Sequence, residues 1–249
     1  MRQIFQSLPW IHPAVPAPII EIYRKRGVEL CVKKHGVLKS GGENPKSFLL
    51  VRGLCAYRIP NDARGIPATL SLIIPGRSMC DISASVDERV NVETVAWQDS
   101  VVLAMPPGTL QDEADRNPAF GRYLLQDVIA KQESHLEGMT ANFTLDPQTR
   151  LKTLFKVLLT AYGRPTEGEG LVLPLLLNNS QYGQIVNLSR VTVSRILGHW
   201  QDVGLIRKDG RAITVSGRLF SDIYDWLDGT GKAENSRLEN YHTPAASQS

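Results

Sequence analysis

The sequence has little of what marks metalloproteins, disulfide-rich proteins or membrane proteins. Its three cysteines, Cys31, Cys55 and Cys80, are far apart and odd in number, with no Cys-x-x-Cys or His-Cys cluster. Neither a zinc-ligand spacing nor a disulfide framework is present, and buried free thiols are expected. No uncharged apolar run is long enough to span a bilayer. The stretch MRQIFQSLPWIHPAVPAP lacks a continuous apolar core and is broken by prolines, so no signal peptide and a cytoplasmic location are expected. The histidines His12, His35, His135, His199 and His242 are scattered, with no nucleophile motif beside them. Acid–base catalysis needs positioned neighbours, so neither an enzyme nor a bound cofactor or metal is expected. A net charge of +3 does not by itself indicate a polyanionic partner.

What is there is an ordinary globular composition, 42% hydrophobic and 21% charged, in 249 residues, enough for one large or two small domains. The charge is unevenly placed. Between Ser189 and Arg218 lie Arg190, Arg195, Arg207, Lys208, Arg211 and Arg218, against Asp202 and Asp209. Such a local excess is the footprint expected where a chain docks on phosphates.

The same region carries the strongest local pattern. Asn178, Asn179 and Ser180 offer caps to a short helix whose apolar face is Tyr182, Ile185 and Val186. Asn187 stands at a turn, where it tolerates a left-handed backbone. Ser189 caps a second helix, in which Val193, Ile196, Leu197 and Trp200 recur at three and four residues and predict a buried face. The other side presents Val191, Ser194, Arg195 and Gly198, with Arg190 at its rim. A helix exposing arginines and short side chains near its N-terminus can enter a major groove, where Arg reads guanine O6 and N7. Asp209-Gly210 between two short apolar runs predicts a hairpin, which makes a basic wing. From these residues the DNA contacts are expected at Ser180, Ser189, Arg190, Val191, Thr192, Ser194, Arg195, Lys208 and Arg211.

The run Gly183-Gln184-Ile185-Val186, then Ser189-Arg190-x-Thr192-Val193-Ser194-Arg195-Ile196-Leu197, then Gly204-Leu205-Ile206, resembles the DNA-binding domain of the cyclic-AMP receptor protein (Crp/Fnr) superfamily of bacterial transcription regulators. The match is dense over the C-terminal third and weaker before it. The resemblance implies that arginines at Arg190 and Arg195 contact bases or phosphates. Its usual glutamate, a cytosine reader, is replaced here by Val191. The compact N-terminal cysteine group that holds an iron–sulfur cluster in some relatives is missing.

Upstream, Leu30–Val32, Val37-Leu38, Ser47–Val51, Leu54–Ile59, Thr69–Ile74, Val90–Val95 and Ser100–Met105 read as short strands separated by turn residues, the pattern of an antiparallel barrel or sandwich. Their punctuation resembles the jelly roll of cyclic-nucleotide-binding domains. The resemblance places a possible effector pocket at Asp81 and Arg89, but the glycines a phosphate cradle favours are scarce there, so cyclic-nucleotide binding is not expected.

From Asn117 to Phe143 a helix is expected. Leu125, Ile129, Gln132, Leu136, Met139 and Phe143 alternate at four and three residues, the spacing of a coiled-coil seam. A core helix lying on the roll has a similar period; the resemblance favours a dimerisation helix. Further helices are expected over Gln148–Tyr162 and Ser216–Leu227.

The fold class expected is α+β. Residues 1–116 form an N-terminal β-roll resembling a cyclic-nucleotide-binding domain, and 117–145 a long dimerisation helix. Residues 146–228 form a winged helix-turn-helix, and 229–249 a disordered tail. The function expected is a homodimeric regulator on a pseudo-palindrome in double-stranded DNA, with RNA polymerase as a partner if it activates, and no membrane. The alternative is a module responsive to a cyclic nucleotide or other small ligand whose winged helix has become a protein interface.

Overall fold

Short strands dominate the N-terminal half, as their β-branched and aromatic content favours. The computed structural model describes residues 4–40, 46–60, 67–80, 92–106, 108–175, 177–210 and 212–223. Asp81, Arg89, Arg211 and the expected tail from Gly229 lie outside them, as do Val90 and Asn91 of the expected strand Val90–Val95. After helix α1 (Ala17–Arg26) come β1 (Val28–Val32), β2 (Val37–Ser40), β3 (Ser47–Arg52), β4 (Cys55–Ile59), β5 (Ala68–Ile73), β6 (Ser78–Met79), β7 (Glu93–Ala96) and β8 (Ser100–Met105). They form two antiparallel sheets, ordered β1-β8-β3-β6 and β2-β7-β4-β5. Both sheets close on one core that includes Leu38, Phe48, Leu50, Cys55, Ile73 and Val102.

Strand periodicity gives the second sheet two apolar faces. Cys55 and Ile73 point into the roll, while Ala56, Leu72 and Val95 join a larger core shared with the C-terminal helices. The thiols differ from expectation in one case. Cys55 is buried, which pushes its pKa up to about 12, and Cys80 is half-buried, but Cys31 is exposed. The reason is that β1 is an edge strand with most of its residues in solvent.

The segment before α1 has no regular structure, as its prolines predict, yet it is part of the core. Trp10, Ile11 and Val15 are almost wholly buried. Leu72 N donates to Trp10 O at 2.7 Å and His12 N donates to Leu72 O at 2.9 Å. The arm thereby covers the free edge of β5, which would otherwise present unpaired amides.

Helix α2 (Thr109–Arg116), which the sequence pattern did not reveal, leads into α3 (Pro118–Thr144). Asn117 caps α3, accepting from Ala119 N and Phe120 N, with Pro118 in the first turn. Between Asp127 and Glu137 the packed face of α3 is polar. Asp127 and Lys131 are wholly buried and paired at 2.5 Å, and Lys131 Nζ donates to Ser78 Oγ at 2.7 Å. Glu137 Oε1 accepts from Ile4 N and Phe5 N at 2.5 and 2.6 Å, and Ser134 Oγ donates to Ile11 O. The apolar stripe faces away, with Leu125 60%, Ile129 48%, Leu136 48%, Met139 46% and Phe143 82% exposed. Gln132 is exposed among them.

Helix α4 (Pro147–Ala161) follows a two-residue break and begins at Asp146, whose carboxylate accepts from Gln148 N and Thr149 N. The helix expected over Ser216–Leu227 is instead a 3₁₀ turn at Gly217–Phe220 within the described residues. Leu219, Phe220 and Ile223 are buried there, and Ser216 Oγ accepts from Arg218 N.

The His135 ring lies between Tyr57, stacked with centroids 5.5 Å apart, and His12, tilted at 5.5 Å. Burial, reinforced by the charge of Lys131, pulls its pKa from 6.5 down to about 4. The unfolded chain therefore binds this proton more readily. The stabilisation from a neutral His135 is complete above pH 6.5 and is lost as pH falls towards 4. Denaturant unfolding across that window should show an acid slope, of up to about 1.4 kcal/mol per pH unit from this group. In His135→Gln the slope should be shallower; an unchanged slope would place the titration elsewhere.

Candidate nucleic-acid interface

Helix α5 (Asn179–Val186) starts as its capping residues dictate. Asn178 Oδ1 accepts from Gln181 N at 2.9 Å, and Gln181 Oε1 accepts from Asn178 N at 3.0 Å, a reciprocal box. The helix ends at Asn187, left-handed at φ 52° and ψ 50°. Helix α6 (Arg190–Asp202) starts at Ser189, whose hydroxyl accepts from Thr192 N at 3.0 Å. The Ser189 and Thr192 hydroxyls also lie 2.8 Å apart, so the second is held half-buried in the first turn.

The turn that joins the two helices folds back closely on α5 because residue 183 is glycine. A Cβ there would sit 2.3 Å from Leu188 O. Tyr182, Ile185, Val186, Val193, Leu197 and Trp200 are buried together with Ile196. Phe155 of α4 meets Tyr182 at 5.4 Å and Trp200 edge-on at 5.7 Å. Aromatic pairs at these separations add to the stabilisation from burial alone.

With its apolar face so occupied, α6 presents the remainder outward. Arg190, Val191, Ser194 and Arg195 are all exposed, Val191 by 59%. Neither arginine forms an ion pair among the described residues, so both guanidinium groups are available to an external anion. Gly198 continues this face, and a side chain there would meet open space. Ser180 is exposed in the first turn of α5.

The wing forms as a hairpin of β10 (Ile206–Asp209) and β11 (Ala212–Val215), turning through Gly210 at φ 56°. A third strand, β9 (Leu171–Val172), pairs with β11. Ile206, Ile213 and Val215 are buried, while Arg207 and Lys208 are exposed. The structure thus brings the expected contacts at Ser180, Ser189, Arg190, Val191, Thr192, Ser194, Arg195 and Lys208 into one unit. Two polar contacts beneath it were not read from the sequence. Asn142 of α3 and Arg150 of α4 donate to the backbone at the end of α5. Nothing in their spacing announces this, since each partner is more than thirty residues away.

Residues 154–218 match the model of the Crp-like helix-turn-helix domain. The fold as a whole is similar to that of solved structures. FixK2 from Bradyrhizobium japonicum superimposes with a TM-score of 0.66 at 16% identity, over 78% of this chain and 95% of that one. A CooA variant from Carboxydothermus hydrogenoformans gives 0.66 and 16%, over 86% and 95%. CLP from Xanthomonas campestris, a regulator responsive to cyclic di-GMP, gives 0.66 and 12%, over 81% and 99%. The chain carries a Crp-like helix-turn-helix domain on a Crp/Fnr fold. No curated protein matches it by sequence. No helix among the described residues is long and apolar enough to cross a membrane.

Within this Crp-like domain the contact between Gly183 and the Leu188 carbonyl leaves no room for a side chain. Gly183→Ala must push Leu188 away from α5, and overpacking of this kind costs about 1–3 kcal/mol. Thermal unfolding should report that loss together with weaker DNA binding. An alanine variant as stable as the parent would mean that the turn at Leu188 shifts without cost.

Proposed function

We propose that the protein is a homodimeric, sequence-specific transcription regulator that reads a pseudo-palindromic site through paired α6 helices. The observation that carries the dimer is the inverted burial of α3. A helix with no partner puts its apolar side on its own domain. Here the polar side is packed and five large apolar side chains remain in water. Their four-and-three spacing suits a second, twofold-related copy of the same helix. In such a dimer the two α6 helices meet half-sites about one helical turn apart. The roll acts as transmitter rather than cyclic-nucleotide receptor, a reading supported by the scarcity of glycines around Asp81 and Arg89, where a phosphate cradle would need them.

Ile129→Glu combined with Leu136→Glu should yield monomers by sedimentation, with binding to the full site lost while each winged helix stays folded. Unchanged particle mass would remove α3 as the interface.

The exposed α6 face sets a base preference. Valine has no polar atom, so Val191 can offer methyl contact, which suits the thymine C5-methyl. Arg190 and Arg195 retain guanine as their complement. Sites selected from random duplex DNA should show T·A or weak preference opposite Val191. Val191→Glu should move that single position in each half-site towards cytosine. Identical selected sites from both proteins would mean that Val191 faces no base.

A further inference from the structure

The last carbonyls of a helix have no partner within it and must find one elsewhere. In α5 those carbonyls include those of Ile185, Val186 and Asn187, the last of them two residues before Ser189, the cap of α6. They are met from two other helices. Asn142 Nδ2, near the end of α3, donates to Ile185 O at 3.1 Å. Arg150 Nη1, in the first turn of α4, donates to Val186 O at 3.0 Å and Asn187 O at 3.4 Å. The two donors flank the break between α3 and α4, where Leu145 and Asp146 leave the helical conformation. A cation at a helix C-terminus also suits the helix dipole.

This junction is poorly optimised as a stabilising device. Asn142 Oδ1 and Arg150 Nε are both buried without a hydrogen-bond partner among the described residues. A buried polar atom left unsatisfied carries a desolvation cost, so apolar side chains could fill the same space at less expense. What the two residues supply is direction. They tie the turn that launches α6 to the end of the helix proposed to pair with its twofold mate.

We propose that Asn142 and Arg150 are positioning residues that set the angle and separation of the two α6 helices in the dimer, and so the half-site spacing the protein accepts. The proposal rests on the dimeric reading above. Neither residue needs to touch DNA. A misdirected α6 still binds one half-site, because its own exposed face is unchanged. It cannot place a second α6 on the same duplex face, so only the gain from simultaneous engagement is lost.

The test uses the full-length protein and a duplex selected from random DNA by wild type, alongside the same duplex with one half scrambled. Asn142→Ala, Arg150→Met and the double variant are compared with wild type for affinity to each duplex. Circular dichroism and sedimentation confirm fold and mass. Linked sites offer an advantage on the order of 10²–10⁴ over a single site, and the double variant should lose about tenfold or more of it while binding the scrambled duplex as wild type does. A library varying the distance between halves should return a broader range of spacings. Two results would overturn the proposal: an unchanged advantage with unchanged spacing, or an equal fall on both duplexes, which marks a purely structural role. If wild type is monomeric, or gains nothing from the second half-site, the dimeric reading itself fails and takes this one with it. That outcome is visible before any variant is made.

Discussion

Burial of a polar helix face is the constraint on which the rest of this structure depends. Helix α3 turns Asp127, Lys131, Ser134 and Glu137 towards the protein, where each needs a partner. Lys131 meets Asp127 and Ser78, and Ser134 meets the backbone of Ile11. Glu137 meets two backbone amides of the arm. Those requirements fix the rotation of α3 about its axis. They also turn Leu125, Ile129, Leu136, Met139 and Phe143 to the opposite side, where nothing among the described residues covers them. A buried ion pair is weak evidence for stability. Its value here lies in specifying one orientation of the helix over others with similar burial.

The N-terminal arm is the counterpart of that polar face. Its backbone supplies donors and acceptors to α3, and its side chains Trp10 and Ile11 enter the core shared by the roll and the C-terminal helices. Gly138 shows how close the fit is, since a Cβ there would come within 2.6 Å of the Trp10 ring. The arm, the roll and the DNA-binding unit are therefore joined through one apolar cluster. The position of α6 cannot be considered apart from the roll, because Leu72 and Val95 of the roll pack in the same core as Val193 and Trp200.

The helix-turn-helix was legible in the sequence almost residue by residue. Asn178, Asn187 and Ser189 act as caps and turn because of their own side-chain chemistry, and each does so here. The buried faces of α5 and α6 followed from periodicity, and most strands of the roll from short apolar runs between turn residues. Less was legible where the period was long or absent. The strand β6 is two residues long, too short to alternate. The final segment carries apolar residues at helical spacing, yet its described part is a 3₁₀ turn capped by Ser216. For Cys31 the composition suggested burial, and the edge position of β1 decided otherwise.

The sequence by itself determined the local grammar: which residues begin and end α5 and α6, which sides of them are apolar, and that α6 carries arginines outward. These depend on interactions within a few residues, and such interactions are written in spacing and side-chain type. The tertiary structure alone decided which side of α3 meets the roll. The four-and-three stripe was equally suited to a core face and to a seam, and the choice came from polar partners on distant strands and on the arm. It also decided that Asn142 and Arg150 meet the end of α5. Contacts between residues far apart in the chain depend on how whole elements pack, and no local pattern records them.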